Sequence, residues 1–582
     1  MTEQGNRRSA LIAASKIGDF LQAVYRCCVA DRSDRDDLAL VIAALHNEGL
    51  VDVIVEFDKL RNKAARGTNF FLTRHVFEKA LPHIHAPVDA VMRCVLQLYR
   101  DAGNDMAAGA IFEGYIGFCR NDPSRPSEAL RAIEARPDEL VDMLPSTIAA
   151  GSQIDHSRYL AEALRLAQHV DVALRRRAVF SVSLVQWPKG ADVPGSVIDA
   201  LESAAAGDDD DTLASAVRAS FALLRQDPKV ESRVTALVGV ALSNGGDITK
   251  HAAASLFGFH TKELPTPLLD LLLHHLKDVN PENRGTLENV DYGIAHLIKD
   301  GDPAKGLRLL EDLLLAHEGK LTLEAFDSAG ANIRENNALI SRVLTRWFLS
   351  GEPVLCEAVH EIGGTHHGKD LVIEIDADEL KPADRFRTIF VARKAIGYFF
   401  FKPITAASVV ISLMHHAPDD ETREALSQLL FDPLLLNYTG SARDYAKERS
   451  TTETGAIKHM IDNALAAIDE YLETLRQVPN LPALHPGEAQ RDVYRRHMSE
   501  STTRSFKAAE KKSVFFGIFA KSTLLYGRKS INYVDAGKGE SRRMEIPLKS
   551  HSVTMEIPRM DNLDAHGINF MLRVFRVERL RA

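Results

Sequence analysis

Cys356, His360 and Glu361, followed beyond Gly363 and Gly364 by His366 and His367, gather side chains that bind metals. Residues i and i+4 share one face of a helix, so Cys356 and His360 are spaced to begin a site that His366 would complete from the turn. The pattern is not the HExxH of zinc proteases, because His366 stands five positions after Glu361 instead of three. The Gly-Gly pair is expected to end the helix between them. Our expectation is therefore a helix end with a buried cysteine and solvated turn histidines, with no metal and no cofactor. The pairs His274-His275 and His415-His416 are adjacent, and neighbours on a helix point about 100° apart, which is poor geometry for chelation. Both pairs fit helix C-termini, where a protonated imidazole meets the negative end of the dipole. Asp208 to Asp211 follow Gly207 and read as a solvated loop that caps a helix, not as a magnesium site.

Nucleotide and nucleophile signatures are missing from the sequence: GxxxxGK[ST] is absent, no GxGxxG lies between a strand and a helix, and there is no GxSxG. Gly537-Lys538-Gly539 reads as a hairpin turn. Catalysis stays open on this evidence, although the reading leans against an enzyme.

The richest set of side chains lies near the C-terminus. Arg504, Lys507 and Lys511 are spaced by three and four and share a helical face; Lys512, Lys521, Arg528, Lys529, Arg542 and Arg543 follow, interleaved with Phe515, Phe516, Phe519, Tyr526 and Tyr533. Lysine and arginine neutralise phosphates and exposed aromatics stack on bases, so these nine cations are candidate nucleic-acid contacts. The competing expectation is that the phenylalanines form a small core and the basic face docks on an acidic body. Charge distribution allows either, since residues 491–582 carry 19 Lys+Arg against 10 Asp+Glu whereas the whole chain has a net charge of −9.

The elements that must position these groups are mostly helical. At 582 residues the chain exceeds the roughly 250 to 300 at which single cores stop growing. From Arg8 to about Leu475, apolar residues recur at helical spacing between short Gly, Pro, Asp and Asn breaks. The most apolar stretch, residues 385–438, predicts three short-looped helices, the first apolar nearly all round and so an interior helix. Inside that first helix Arg393 and Lys394 must either snorkel to an edge or pair with acids, for which Asp432 and Asp444 are candidates. The polar loop Asn437 to Arg443 follows directly and would suit the rim of a pocket.

Three segments are self-similar. Those opening at Asp171, Asp211 and Asp247 each place a basic residue before an alanine and an apolar run: Arg177-Ala178, Arg218-Ala219 and His251-Ala252. This resembles the second helix of HEAT-type repeats, in which an aspartate caps the helix and a small alanine lets neighbours approach. The resemblance covers about a fifth of the chain and implies an irregular α-solenoid over residues 1–476. A proline-rich connector, 477–490, then leads to a basic α+β module, 491–582. In that module STLLYG, SINYVDAG, RRMEIPL and SVTMEIPR alternate like strands, while Ile568 to Leu580 leans towards helix.

Composition completes the picture. No apolar run reaches the length of a membrane span and the first thirty residues lack signal-peptide order, so we expect a cytoplasmic location and no membrane partner. Cys27, Cys28, Cys94, Cys119 and Cys356 include no CxxC pair and read as reduced core residues. The function expected from the sequence is a non-enzymatic helical scaffold for a protein partner, whose basic C-terminal module contacts nucleic acid or the partner complex. The alternative is an enzyme or its regulatory subunit, with a site near residues 356–376 or 437–443.

Overall fold

The computed structural model describes residues 3–30, 35–62, 69–103, 105, 107–188, 190–317, 319–363, 370–479, 482, 485–512, 529–535, 541–547 and 556–580. The chain is mainly α and divides into two units, Met1–Ile340 and Ser341–Ala582. This division differs from the expected boundary at 476/477. The basic C-terminal segment belongs to the second unit, because its last helix is part of that unit's core.

In the first unit, one series of helices stacks in chain order: α1 (Arg35–Asn47), α2 (Phe70–Ala80), α3 (Ile111–Arg120), α4 (Leu144–Ser152), α6 (Val172–Val182), α8 (Asp210–Gln226), α10 (Asp247–His260), α12 (Arg284–Asp300) and α13 (Asp327–Glu335). A second series, α5 (His156–Ala167), α7 (Gly195–Ala205), α9 (Glu231–Asn244) and α11 (Thr266–Leu276), packs behind its middle. The small residues singled out in the sequence sit at the contacts: Ala178, Ala219 and Ala252 are fully buried. Gly293 does the same, since a Cβ there would fall 2.2 Å from the Phe257 ring.

The capping is less local than the sequence predicts. Asp171 caps α6 by accepting from the Leu174 N–H, as expected, and Asp209 rather than Asp211 caps α8 through Thr212. Asp247 does not cap α10. There Asp210, one helix back in the stack, accepts from the N–H groups of Gly246, Ile248 and Thr249. Asp291 of α12 likewise accepts from Ser328 and Ala329 at the start of α13. A carboxylate on one helix thus satisfies the orphan donors of the next, which ties neighbours together at the positive end of the dipole.

The second unit is organised around α15 (Arg385–Phe399), capped by Asp384. Helices α14 (Pro353–Ile362), α16 (Pro403–His416) and α17 (Asp420–Leu429) surround it on three sides. Pro403 occupies the first turn of α16, where the missing N–H costs nothing, and Asp419 caps α17. Phe400 is 1% exposed, whereas Phe386 and Phe401 at the two ends are exposed. The chain continues through α18 (Ser441–Thr452) and α19 (Gly455–Gln477) to α20 (Glu488–Lys512), then to an antiparallel hairpin of β1 (Lys529–Asp535) and β2 (Ser541–Pro547). It ends in α21 (Ala565–Val577), which packs directly on α15. The expected strand at 522–527 lies outside the described residues, as do residues 551–555. Glu556 to Pro558 are not in a strand.

Candidate functional site

The basic residues predicted to bind phosphate fall on two elements. Arg504, Lys507 and Lys511 lie on α20, whose described side chains are all exposed along its 25 residues. Its seven Lys/Arg and four Asp/Glu leave it cationic, and Val493, Tyr494 and Phe506 are exposed with them. A helix polar all round has no face to bury, and α20 has no extensive packing on any other described element. Among the described residues, Arg504, Lys507 and Lys511 have no salt-bridge partner. Lys529 and Arg543, in contrast, both converge on Glu545 of the hairpin, at 2.7 and 2.5 Å. Their charge is already half neutralised. Arg542 stands opposite Val534 in the hairpin register. Lys521 and Arg528, and the side chain of Lys512, lie outside the described residues, as do Phe515, Phe516, Phe519 and Tyr526.

The metal candidates separate. Cys356 is fully buried on α14, donates its thiol to the Trp347 carbonyl oxygen at 3.5 Å, and has its pKa pushed up to about 11 by burial. A thiol held neutral in this way is a poor ligand. His360, one turn on, sits half-buried beside the Phe399 ring, and burial lowers its pKa, with Lys402 adding to the effect. His366 lies outside the described residues, and no three His, Cys, Asp or Glu side chains among those described are placed to hold a metal ion.

The partners of Arg393 and Lys394 are not Asp432 and Asp444. Lys394 is completely buried and donates its ammonium to the main-chain oxygen of Arg576 in α21, while Arg393 pairs with Glu578 at 3.1 Å and lies over the Phe575 ring. Desolvation pulls the Lys394 pKa below the ordinary lysine range. Arg576 returns the contact, its Nε donating to the Gly397 oxygen at 2.6 Å. Gly397 lets the helices come close here, because a Cβ would stand 3.1 Å from that of Phe575, tighter than an ordinary contact. A neighbour about 180 residues away in sequence was invisible to a search restricted to nearby acids.

The loop Asn437 to Arg443 is filled by the same C-terminal segment. Glu556 accepts from the Gly440 N–H at 2.8 Å, the Ser441 N–H at 2.9 Å and the Ser441 hydroxyl at 2.6 Å, at the start of α18. Burial opposes the Glu556 charge, but these donors outweigh it and hold the carboxyl below the usual glutamate range. Asn437 accepts from the Met560 N–H. The predicted rim is thus a seat for the chain's own residues.

A cavity of about 360 Å³ opens elsewhere in the unit, between the extended segment 371–376, α16 and α18. Ser408 and Ser412 of α16 accept the N–H groups of Ile373 and Ile375 at 3.0 and 2.9 Å. Two residues of extended chain and one turn of helix have nearly the same length, which lets the two elements run side by side. His415, His416, Tyr445 and Arg449 complete the wall, with Glu374 exposed at its mouth. Glu453 receives both Arg449 and His415, the latter at 3.3 Å. Sequence reading assigned the histidine pair to the helix dipole and missed Tyr445 and Arg449. Only Val372 to Ile375 fall in the region suspected from sequence.

No protein-family model matches the chain, and no curated protein matches it.

Proposed function

We propose that this protein is a non-enzymatic helical scaffold that binds a protein partner through its stacked helices and an anionic polymer, nucleic acid, through α20. The observation that carries the second half is α20 itself, a long cationic helix with solvent on every side. Its described side chains are all exposed and it has no extensive packing on any other described element, which leaves its cations open to a partner. Stacked helices that use their neighbours' aspartates as caps support the scaffold reading, because such an array offers an extended surface for its length. Helices in such a stack lie about 8 to 10 Å apart, which suits a partner that runs along them.

The test is binding of the full chain to a fluorescent DNA duplex and a matched single strand across a salt series. Each phosphate contact on duplex contributes about −0.9 to the slope of log K against log salt, so Arg504→Glu, Lys507→Glu and Lys511→Glu together should remove nearly three units. Absence of binding by the wild-type chain at low salt would refute this reading of α20. Because neither a recognition helix nor a zinc-finger pattern accompanies the charge, the binding is expected to be independent of sequence.

A further inference from the structure

We propose that the cavity between residues 371–376, α16 and α18 binds a small oxyanion, a carboxylate or a phosphate. Its hydrogen-bond inventory is one-sided. The hydroxyl oxygens of Ser408 and Ser412 already accept main-chain N–H groups, and Glu453 already accepts from Arg449 and His415. What remains, apart from the Glu374 carboxylate, are groups able to donate. Arg449 Nε is buried without an acceptor, and Tyr445 and His416 line the same cavity. Guanidinium has donors only, and an unsatisfied buried donor carries its full desolvation cost until an acceptor arrives.

The three groups come from two helices that pack on each other and converge on one space. About 360 Å³ is at the lower end of the range for ligand pockets, enough for a small metabolite but not for a nucleotide with its base and sugar. Glu453 stands behind Arg449, where it orients the guanidinium and, through His415, ties α16 to α18. Glu374 at the mouth is the one carboxylate that an entering anion meets directly, and it limits the charge the site tolerates. A singly charged carboxylate or monobasic phosphate fits these conditions. Burial keeps Tyr445 protonated, since its pKa lies above the ordinary tyrosine value, so the hydroxyl is available as a donor throughout the neutral range.

Calorimetric titration of the full chain with sodium phosphate, and separately with sodium acetate, at constant ionic strength made up with chloride, tests the assignment and distinguishes the two sources of the same chemistry. Saturable binding of one of them at a single site is expected. Tyr445→Phe removes one hydroxyl and little volume, and should weaken that binding roughly ten- to hundredfold, the worth of one hydrogen bond to a charged group. Arg449→Gln should abolish it. Should that variant fail to fold because Glu453 loses its partner, Tyr445→Phe still decides the matter. Two results overturn the proposal: no saturable heat from either anion, or binding that Tyr445→Phe leaves unchanged.

Discussion

Helix α20 and residues 556–580 belong to the same basic C-terminal segment, yet the described side chains of one stand in solvent and the other is built into the core of the second unit. The difference is not charge. Helix α21 carries Arg573 and Arg576 and packs on a helix that itself contains Arg393 and Lys394. What α21 has and α20 lacks is an apolar stripe: Ile568, Leu572 and Phe575, spaced by four and three, are all buried. The cations at that contact are absorbed by main-chain carbonyls and by Glu578. Burial of apolar surface decides docking, and the charges are then accommodated at fixed acceptors.

The strongest way to break this contrast is Phe575→Ala. It removes a buried ring and leaves a cavity against α15, and should cost about 3 to 4 kcal/mol, read as a fall in the denaturation midpoint of the full chain. A loss below about 1 kcal/mol would mean that the α21 contact adds little to the stability of the unit.

Glu556→Gln sharpens the comparison at the other anchor. Three hydrogen bonds to a carboxylate that is partly open to solvent should be worth about 1 kcal/mol. The sign of the pH effect follows from the depressed pKa: the contribution is complete above the ordinary glutamate pKa and fades as pH falls through the folded-state value. Wild type and Glu556→Gln should therefore converge in stability under acid conditions. A difference that persists unchanged at low pH would assign the effect to packing instead of charge.

The smallest effect is expected on the exposed side. Reversing Arg504, Lys507 and Lys511 to glutamate should leave the thermal midpoint of the full chain within the change produced by about 0.5 kcal/mol, since exposed charges without partners contribute little to folding. A large loss of stability would show that α20 packs on the body in solution.

Local patterns were readable wherever a residue's role depends on neighbours in sequence. The buried alanines of α6, α8 and α10 were identifiable by their shared position after a basic residue. The tail, whose apolar spacing fits a strand nearly as well, is helical over Ala565–Val577. The places where the reading failed share a cause. Asp210 capping α10, Glu556 capping α18 and Arg576 receiving Lys394 all join residues between 36 and 182 positions apart. A backbone acceptor has no side-chain signature at all, so the partner of Lys394 could not have been found by looking for an acid.

The anion cavity follows the same rule. His415 and His416 were visible as a pair, but Tyr445 and Arg449 lie on another helix, and their meeting depends on how α16 packs against α18.

By itself, then, the amino-acid order determined that this chain is mainly helical and which of its helices are too apolar to stand alone, because those properties follow from propensity, capping and period within a few turns. Tertiary structure alone decided that the C-terminus returns to α15, that Glu556 fills the loop after residue 437, and which donors are left without acceptors around Arg449. Those outcomes depend on distances between segments far apart in the chain, and such distances exist only once the apolar faces have chosen their partners.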